Sequence, residues 1–599
     1  MIVTMKKIFL VTLESHKEQA LDRLRDIGVM HIELAEAHNE MIAELKEKRN
    51  ILNKALGALP QPENPVTGKK NKDVAPAIRI AEEINNLFQR EAECMDEIKR
   101  LQLEIDKFKE WGDFNKDDIA SLRERGIAIR LFDVTKEQLE DFSEGVYPFV
   151  VHKTKARIKV AAVVLGDDHI PFVEIPLPER SLSQLNKQIQ QRETEIKHVR
   201  EKLEGHSKDA PLMQRGVEQL EEQIEFEQAR ASLTGEGALA YITGYVPQRD
   251  TEKLKKGASR HNWGIMITDP GDHDNVPTLV ENPKWIRPIM PIFNLLGTIP
   301  GYKEYDISPW FLIFFSIFWA MIVGDAGYGL IFLLATITAR AIFRKAPREP
   351  FLLLFITGIA TVLWGGVTGT WFGIEALSRH PALSWMIIPS VASFSLSMEG
   401  GTGKIIMHIC FIIGAVHLST AHLINFFKLL PSLRSYAEIG RLSMIWGLYF
   451  LIRNLVLKIE LHPASLWLLG LGFGMVIVFT NQNGSFIRGV VRGFSNLIII
   501  ILGSIGFFSD VVSYVRLFAV GLATLEVAKS FNAMASGFGS GIFSVLGAVF
   551  ILFFGHALNI ILCSMSLIVH GIRLNMLEFS GHLCMEWSGF KYRPFKKSG

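Results

Sequence analysis

Phe508, Ser509, Asp510, Val511, Val512, Ser513, Tyr514, Val515, Arg516, Leu517, Phe518, Ala519, Val520 and Gly521 form a run with an arginine inside an otherwise apolar helical stretch. A guanidinium keeps its charge at any physiological pH, and holding one in the middle of a bilayer costs about 2.5–3.5 kcal/mol even on lenient insertion scales. Such a residue needs an anionic partner or water, and it points to an ion pathway rather than to passive anchoring. The bland alternative, an arginine that snorkels to a headgroup, is opposed by the apolar flanks on both sides of Arg516.

Outward from this run the chain divides in two. Residues 1 to about 300 are charged and mixed in sign, whereas 308 to 590 are dominated by long apolar runs, so the net charge of +2 averages two unlike halves. The opening residues, Met1 to Lys7, lead into a strand-like run without a small-residue cleavage site, which predicts a cytoplasmic location for the soluble half. Cys94, Cys410, Cys563 and Cys584 have neither metal-ligand nor disulfide spacing and fit a reducing compartment.

In the first half, residues 5 to 13 read as a strand, 15 to 27 as a helix and 29 to 34 as a strand, an opening βαβ unit. Ile80, Ile84, Leu87, Cys94, Ile98, Leu101, Ile105 and Phe108 keep a 3,4 apolar spacing with one break at Glu91. Leu182, Leu185, Ile189, Ile196, Val199 and Leu203 keep it with one break at Arg192. Sustained seams of this kind predict coiled coil. Between them, Ile127–Phe132, Phe149–His152, Arg157–Leu165 and Phe172–Ile175 read as strands of a second α/β lobe. A helix at 212–233 and strands at Ala238–Val246 and Ile265–Thr268 return the chain. The expectation is an antiparallel coiled coil with an α/β lobe at each end, a dumbbell suited to a mechanical role. No glycine-rich phosphate loop follows a strand, and Gly400 to Lys404 fails as a Walker A because Met398 and Ile405 stand where Gly and Ser/Thr are needed; it reads as a turn before a membrane helix. The chain is therefore expected to catalyse nothing itself and to hold neither cofactor, metal nor nucleic acid.

Apolar segments run over 309–343, 350–374, 404–427, 441–457, 464–481, 494–534 and 541–577. The first is too long for one span, and Gly324, Asp325, Ala326, Gly327, Tyr328, Gly329 at its middle predict a helical hairpin with Asp325 in the turn. Two crossings return Arg340, Arg344, Lys345 and Arg348 to the cytoplasm, as the positive-inside rule asks. Lys428, Arg434, Arg441, Arg488, Arg492 and the basic tail then also fall inside; Arg453 and Lys458 are exceptions. Eight spans result. A helix over 494–534 would be about 62 Å long against roughly 30 Å of hydrocarbon, so it and its mate at 541–588 are expected to be long and tilted.

His556, Asn559, Cys563, Ser566, His570 and Arg573 are spaced 3, 4, 3, 4, 3. On an α-helix they fall within an arc of about 100°, a polar seam that reads as a hydrated path or charged contact. Ser509, Ser513, Arg516 and Ala523 share a face of the preceding helix, with Glu526 drifting off it. Glu578 and Glu586 are placed near the cytoplasmic interface. His408, His417 and His422, with no carboxylate partner evident, read as hydrogen bonders within the bundle.

At these residues the chain resembles the membrane subunit a, or subunit I, of rotary V-type and A-type ATPases. The resemblance rests on Tyr305–Tyr328 with its Gly-Asp turn, Trp364–Gly373, Ser513–Leu517, His570–Leu574 followed by Glu578, and Gly244–Pro247. It covers essentially the whole chain and is similar to the shorter prokaryotic form. The resemblance implies a non-catalytic stator with a cytoplasmic arm (1–300) and a transmembrane ion-translocating domain (301–599). Its partners would be a ring of proteolipid (c/K) subunits, peripheral stalks of E/G type, and the central stalk and ATPase head of the same complex. It implies residence in the bacterial or archaeal cell membrane with both termini cytoplasmic. Arg516 matches the family's essential arginine, which discharges the ring carboxylate, and Arg573 the second arginine. Ser513, His556, Asn559, Ser566, His570 and Glu578 would line the path. Where some eukaryotic relatives carry an acidic residue, this chain has Cys563. The ion, H⁺ or Na⁺, and the direction of ATP chemistry stay open. The competing class, a secondary transporter or channel with a cytoplasmic regulatory domain, would carry internal repeats, and the arginine motifs are not repeated.

Overall fold

The computed structural model describes residues 1–34, 39–59, 74–142, 145–154, 157–165, 170–392, 401–482, 484–539 and 541–597. Two compact units emerge from the contacts. One comprises Met1–Ile8, Tyr245–Glu252 and Ile267–Pro594; the other comprises Phe9–Gly244, Lys253–Met266 and Phe595–Gly599.

The chain opens with β1 (Met5–Leu13), α1 (Lys17–Ile27) and β2 (His31–Ile32). Helix α1 ends on Gly28 in the left-handed region and buries Ala20, Leu21 and Leu24. The expected βαβ unit is split, however. Strand β8 (Leu239–Pro247), the return strand, lies between β1 and β2 in a sheet ordered β2-β8-β1-β9, with β7 (Thr234–Glu236) on β8 and β9 being Gly264–Thr268. The second sheet is ordered β4-β5-β3-β6, from β3 (Ala128–Val134), β4 (Val146–Lys153), β5 (Ile158–Val164) and β6 (Glu174–Ile175). Its pairs are antiparallel, Ala128 facing Val164 and Val134 facing Ile158. Alternation on β5 buries Ile158, Val160, Ala162 and Val164 against Phe132.

Between the sheets run α2 (Glu40–Ala58), α3 (Ala75–Phe108), α4 (Leu182–Gly205) and α5 (Ala210–Ala231). Helices α3 and α4 form the expected antiparallel pair. Arg90 meets Glu195 at 2.7 Å, Glu91 meets Arg200 at 2.7 Å and Glu97 meets Arg192 at 2.6 Å, so the pair furthest along α3 lies earliest on α4. The two breaks in the apolar spacing, Glu91 and Arg192, are members of these ion pairs. Helix α2 was not legible in the sequence. With α5 it widens the two-helix seam into a four-helix cluster of Leu52, Ala55, Ala77, Ala81, Ile84, Val199, Leu203, Met213 and Leu220. This is why Ala77 and Ala81 are buried while Ile80 and Leu87 on the predicted seam are half-buried.

The other unit is built of apolar helices at every expected segment: α6 (Ser308–Val323), α7 (Ala326–Ile342), α8 (Arg348–Thr368), α9 (Gly401–Leu429), α10 (Ser435–Leu457) and α11 (Ala464–Phe479). They are followed by α12 (Leu497–Ser513), α13 (Val515–Ser536) and α14 (Ile542–Ser566). Of the stretch read as a turn, Gly400 lies outside the described residues, and from Gly401 the chain is already helical.

The break between α6 and α7 falls where expected. Gly324 adopts φ +67°, a left-handed conformation costly for other residues, and Asp325 caps α7 by accepting from the Gly327 and Tyr328 amides at 2.8 and 3.2 Å. Asp325 is more than a turn residue, since its other oxygen accepts from the Gly373 amide at 3.1 Å. The two arms meet through α8, which packs against both.

By length and composition, Arg348–Thr368, Gly403–Leu429, Leu497–Ser536 and Ile542–His582 can cross a membrane, and Ser308–Val323, Ala326–Ile342 and Ala464–Phe479 are shorter apolar helices. The penultimate rod is continuous in direction but tightened at Tyr514, where i→i+3 bonds (Tyr514 N–H to Val511 O, Leu517 N–H to Tyr514 O) separate α12 from α13. The last rod passes into π-helix over Leu567–Gly571 and Leu574–Phe579 and ends at His582, short of the 588 expected.

Glu195 generates a prediction. Its hydrogen bond from Arg90, then that from Arg192, holds its carboxyl below the usual carboxylate range. A depressed folded-state value adds stability above the unfolded value and loses it as pH falls through the folded one. Glu195→Gln should therefore weaken hydrogen-exchange protection of α3 and α4 at neutral pH. The gap from wild type should close once the pH drops well below about 4, near the ordinary glutamate value. A gap unchanged down to acid pH would show that the ion pairs do not hold the seam.

Candidate functional site

Arg516 sits on the first turn of α13, just past the tightened turn at Tyr514. Its Nε donates to the Ser513 carbonyl at 3.0 Å and its Nη2 to the Ser513 hydroxyl, so the guanidinium is folded back over its own helix start. The same Nη2 donates to Glu578 Oε1 at 2.6 Å, and Ser513 Oγ donates to that oxygen at 2.8 Å. Arg573 Nε approaches it at 3.4 Å. One carboxylate oxygen thus serves two guanidinium groups and a hydroxyl.

Glu578 is 5% exposed, against 22% for Arg516 and 53% for Arg573. A buried carboxylate of this kind is tolerable only because it is paired. Two arginines and one glutamate leave the cluster with one net positive charge.

Tyr514 fixes the turn from the other side. Its ring is fully buried, and its hydroxyl meets His417 Nδ1 at 2.8 Å. Gly414 makes room, since a Cβ there would lie 2.6 Å from the Tyr514 ring. His417 therefore acts within the bundle as expected, and so does His408, at 2.5 Å from Tyr449 OH. His422 departs from expectation: Nδ1 meets the Glu438 carboxylate at 2.7 Å.

The predicted polar seam divides. His556, Asn559 and Cys563 gather around Tyr328, a residue the sequence did not single out. Its hydroxyl meets His556 Nδ1 at 2.7 Å and accepts from Asn559 Nδ2 at 3.0 Å. Asn559 also donates to the Thr524 carbonyl at 2.9 Å, Cys563 Sγ lies 3.3 Å from Thr524 Oγ1, and His556 Nε2 lies 3.1 Å from Asn532 Oδ1. Arg573 joins the Glu578 cluster instead. The reason is the π-helix after Ser566, which widens the turn and ends the regular 100° progression. Ser566 and His570 belong to neither cluster, and His570 Nδ1 is buried with no hydrogen-bond partner among the described residues. Glu526 faces away, paired with Lys529 at 2.9 Å. The position of Tyr328, one turn after the Gly-Asp break, was the available signal for the second cluster.

These features define a helical membrane protein with a fixed arginine–carboxylate cluster on its longest apolar helices. Over 614 aligned residues it is 34% identical to "V-type ATP synthase subunit I" of Borreliella burgdorferi, with all of both chains covered. It is 30% identical to "V-type ATP synthase subunit I 1" of Treponema pallidum, again over the whole of both chains. The "A-type ATP synthase subunit I" of Methanocaldococcus jannaschii is 26% identical over 70% of this chain and 64% of its own. The chain belongs to the subunit I family of V-type and A-type ATP synthases. No family model matches it. A solved cytoplasmic N-terminal domain of "subunit I, homolog of subunit a, of V-ATPase" covers 44% of this chain and 99% of its own at 15% identity, with a TM-score of 0.25.

The Tyr328 hub makes a stability prediction. Tyr328→Phe strands the His556 and Asn559 groups that meet its hydroxyl and should cost about 1–3 kcal/mol, read as a lowered thermal unfolding midpoint of the purified protein. Ser566→Ala, at a site outside both clusters, should leave the midpoint unchanged. Equal effects would show that the Tyr328 hydroxyl does not hold these helices together.

Proposed function

We propose that this chain is the non-catalytic stator of a rotary ATPase, forming ion half-channels against a rotating ring of proteolipid subunits whose carboxylates pass Arg516. The observation that carries the reading is the cluster of Arg516, Ser513, Arg573 and Glu578. It presents one uncompensated positive charge, rigidly held, on a helix whose apolar flank is open. In the most apolar windows of Leu497–Ser536 and Ile542–His582 only 11% is buried, against 39% and 50% for Arg348–Thr368 and Gly403–Leu429. Such a flank suits a neighbouring apolar helix, and the charge suits an arriving carboxylate, which it would strip of its ion. In low-dielectric surroundings bulk cations cannot stand in for it.

In this reading residues 1–300 are a cytoplasmic arm reaching peripheral stalks of E/G type, and the ATPase head and central stalk complete the complex. Strand β4, a sheet edge with Tyr147 and Phe149 exposed, is a surface suited to a stalk partner. Residues 301–599 cross the cell membrane in eight spans, with Leu497–Ser536 and Ile542–His582 as the last two. In this reading the ion path takes in His556 and Asn559 at the Tyr328 cluster, and Ser566 and His570 outside both clusters.

Arg516→Ala should assemble with the ring yet lose ATP-driven ion transport in reconstituted vesicles, and Arg516→Lys should do little better, because an ammonium is shorter, more hydrated and more easily deprotonated when buried. Arg573→Lys should retain measurable transport, since its single contact is half-exposed and water can replace part of it. Normal gradients with Arg516→Ala would overturn the reading.

The span count is tested by accessibility tags. Tags at 345, 431, 489 and 599 should all be cytoplasmic, and one near 390 should face the opposite side. A tag at 345 outside would mean that the break at Gly324 does not reverse the chain.

A further inference from the structure

Behind the arginine cluster, four ionisable side chains from separate helical segments form a continuous line. Asp510 on α12 lies 3.1 Å from His582 Nε2, His582 Nδ1 lies 2.8 Å from His422 Nε2 on α9, and His422 Nδ1 lies 2.7 Å from Glu438 Oε2 on α10. Arg441 bonds the other Glu438 oxygen. The three inner members are almost wholly buried, at 2–4% exposure, and Asp510 at the mouth is 34% exposed. Phe507 packs at a tilt against both imidazoles, and Asn425 donates to the His582 carbonyl at 2.9 Å.

The three contacts fix the number of protons the line holds. Each of the three short contacts needs one hydrogen between its two atoms, while two neutral imidazoles between two carboxylates supply two. The geometry requires one more. With Asp510 protonated, its O–H donates to His582 Nε2, His582 Nδ1–H to His422, and His422 Nδ1–H to the Glu438 carboxylate. Moving each proton across its own contact leaves Asp510 ionised and Glu438 protonated, with both imidazoles still neutral. The extra proton is thus shared along the line, and no cavity for a hydrated metal ion interrupts contacts of 2.7–3.1 Å.

We propose that Asp510, His582, His422 and Glu438 are a proton-loading station for the transport described above, which makes H⁺ the ion this chain handles. A hydronium at the Asp510 mouth gives up one proton, forming the Asp510 O–H bond and releasing water; the proton is shared inward, and the reverse sequence returns it at the same mouth. Asp510 is six residues before Arg516 on the same apolar rod, about 9 Å along the axis. The station therefore opens near the arginine cluster. Arg441 pairs with Glu438, so the charge of the loaded line is balanced without another ion.

The proposal rests on the stator reading, and the test separates the two. Purified complex is reconstituted in vesicles, and ATP-driven acidification and uptake of radioactive sodium are measured in parallel, with and without sodium. Wild type should acidify in sodium-free medium and take up no sodium; a requirement for sodium, or its uptake, overturns the proposal without any variant. His582→Gln and Asp510→Asn keep hydrogen-bonding groups in place but cannot carry the extra proton. Each should slow acidification by at least about tenfold, the low side of a lost proton-transfer group, with the ring still co-purifying. Normal acidification in these variants overturns the station alone, provided Arg516→Ala is inactive in the same assay. If Arg516→Ala also pumps normally, the stator reading itself fails.

Discussion

Glu578 is the residue on which the membrane unit turns. A carboxylate taken out of water must be matched by cations or protonated, and here it is matched by Arg516 from the penultimate rod and Arg573 from its own. That pairing ties the two long rods together at one height. It also fixes Arg516, whose donors would otherwise be free to swing. Ser513 completes the cage because the turn at Tyr514 brings its hydroxyl and carbonyl to the same side as the guanidinium. Tyr514 in turn is held by His417 and by the space at Gly414, so the position of one charge is set by three neighbouring helices.

The second polar cluster follows a similar rule with neutral groups. Tyr328 is placed by the cap that Asp325 makes on α7, and its hydroxyl gathers His556 and Asn559 from the last rod. A polar contact between apolar helices is specific because few alternative partners are in reach. The two clusters together align the last rod against both α7 and α13.

Much of this was legible in the sequence because it depends on local spacing. The arginine in its apolar run, the break at Gly324, the seven apolar segments and the antiparallel seam each show within one stretch of chain. What was not legible depends on pairing across the fold. Glu438 and His582 carry no spacing signal of their own, and only the packing of α9 brings His422 between them. Tyr328 had no periodic partner to reveal it, and the seam of six polar residues failed as one stripe because π-helix is not encoded by a 3,4 pattern. Helix α2 was missed for a similar reason, its apolar face being completed by α3 and α5 rather than by a repeat of its own.

The ion pairs between α3 and α4 are solvent-exposed and add little stability singly, but they act as a vernier for the two helices. Sliding the pair by one heptad, about seven residues, in one direction would set Glu91 against Glu193; in the other it would set Arg90 against Lys202. Either displacement trades attraction for repulsion while also moving the Ile84 and Val199 side chains out of their shared core. The helices therefore resist shear along their length, and a pull on one end is delivered to the other without creep, as in a strut rather than a tether.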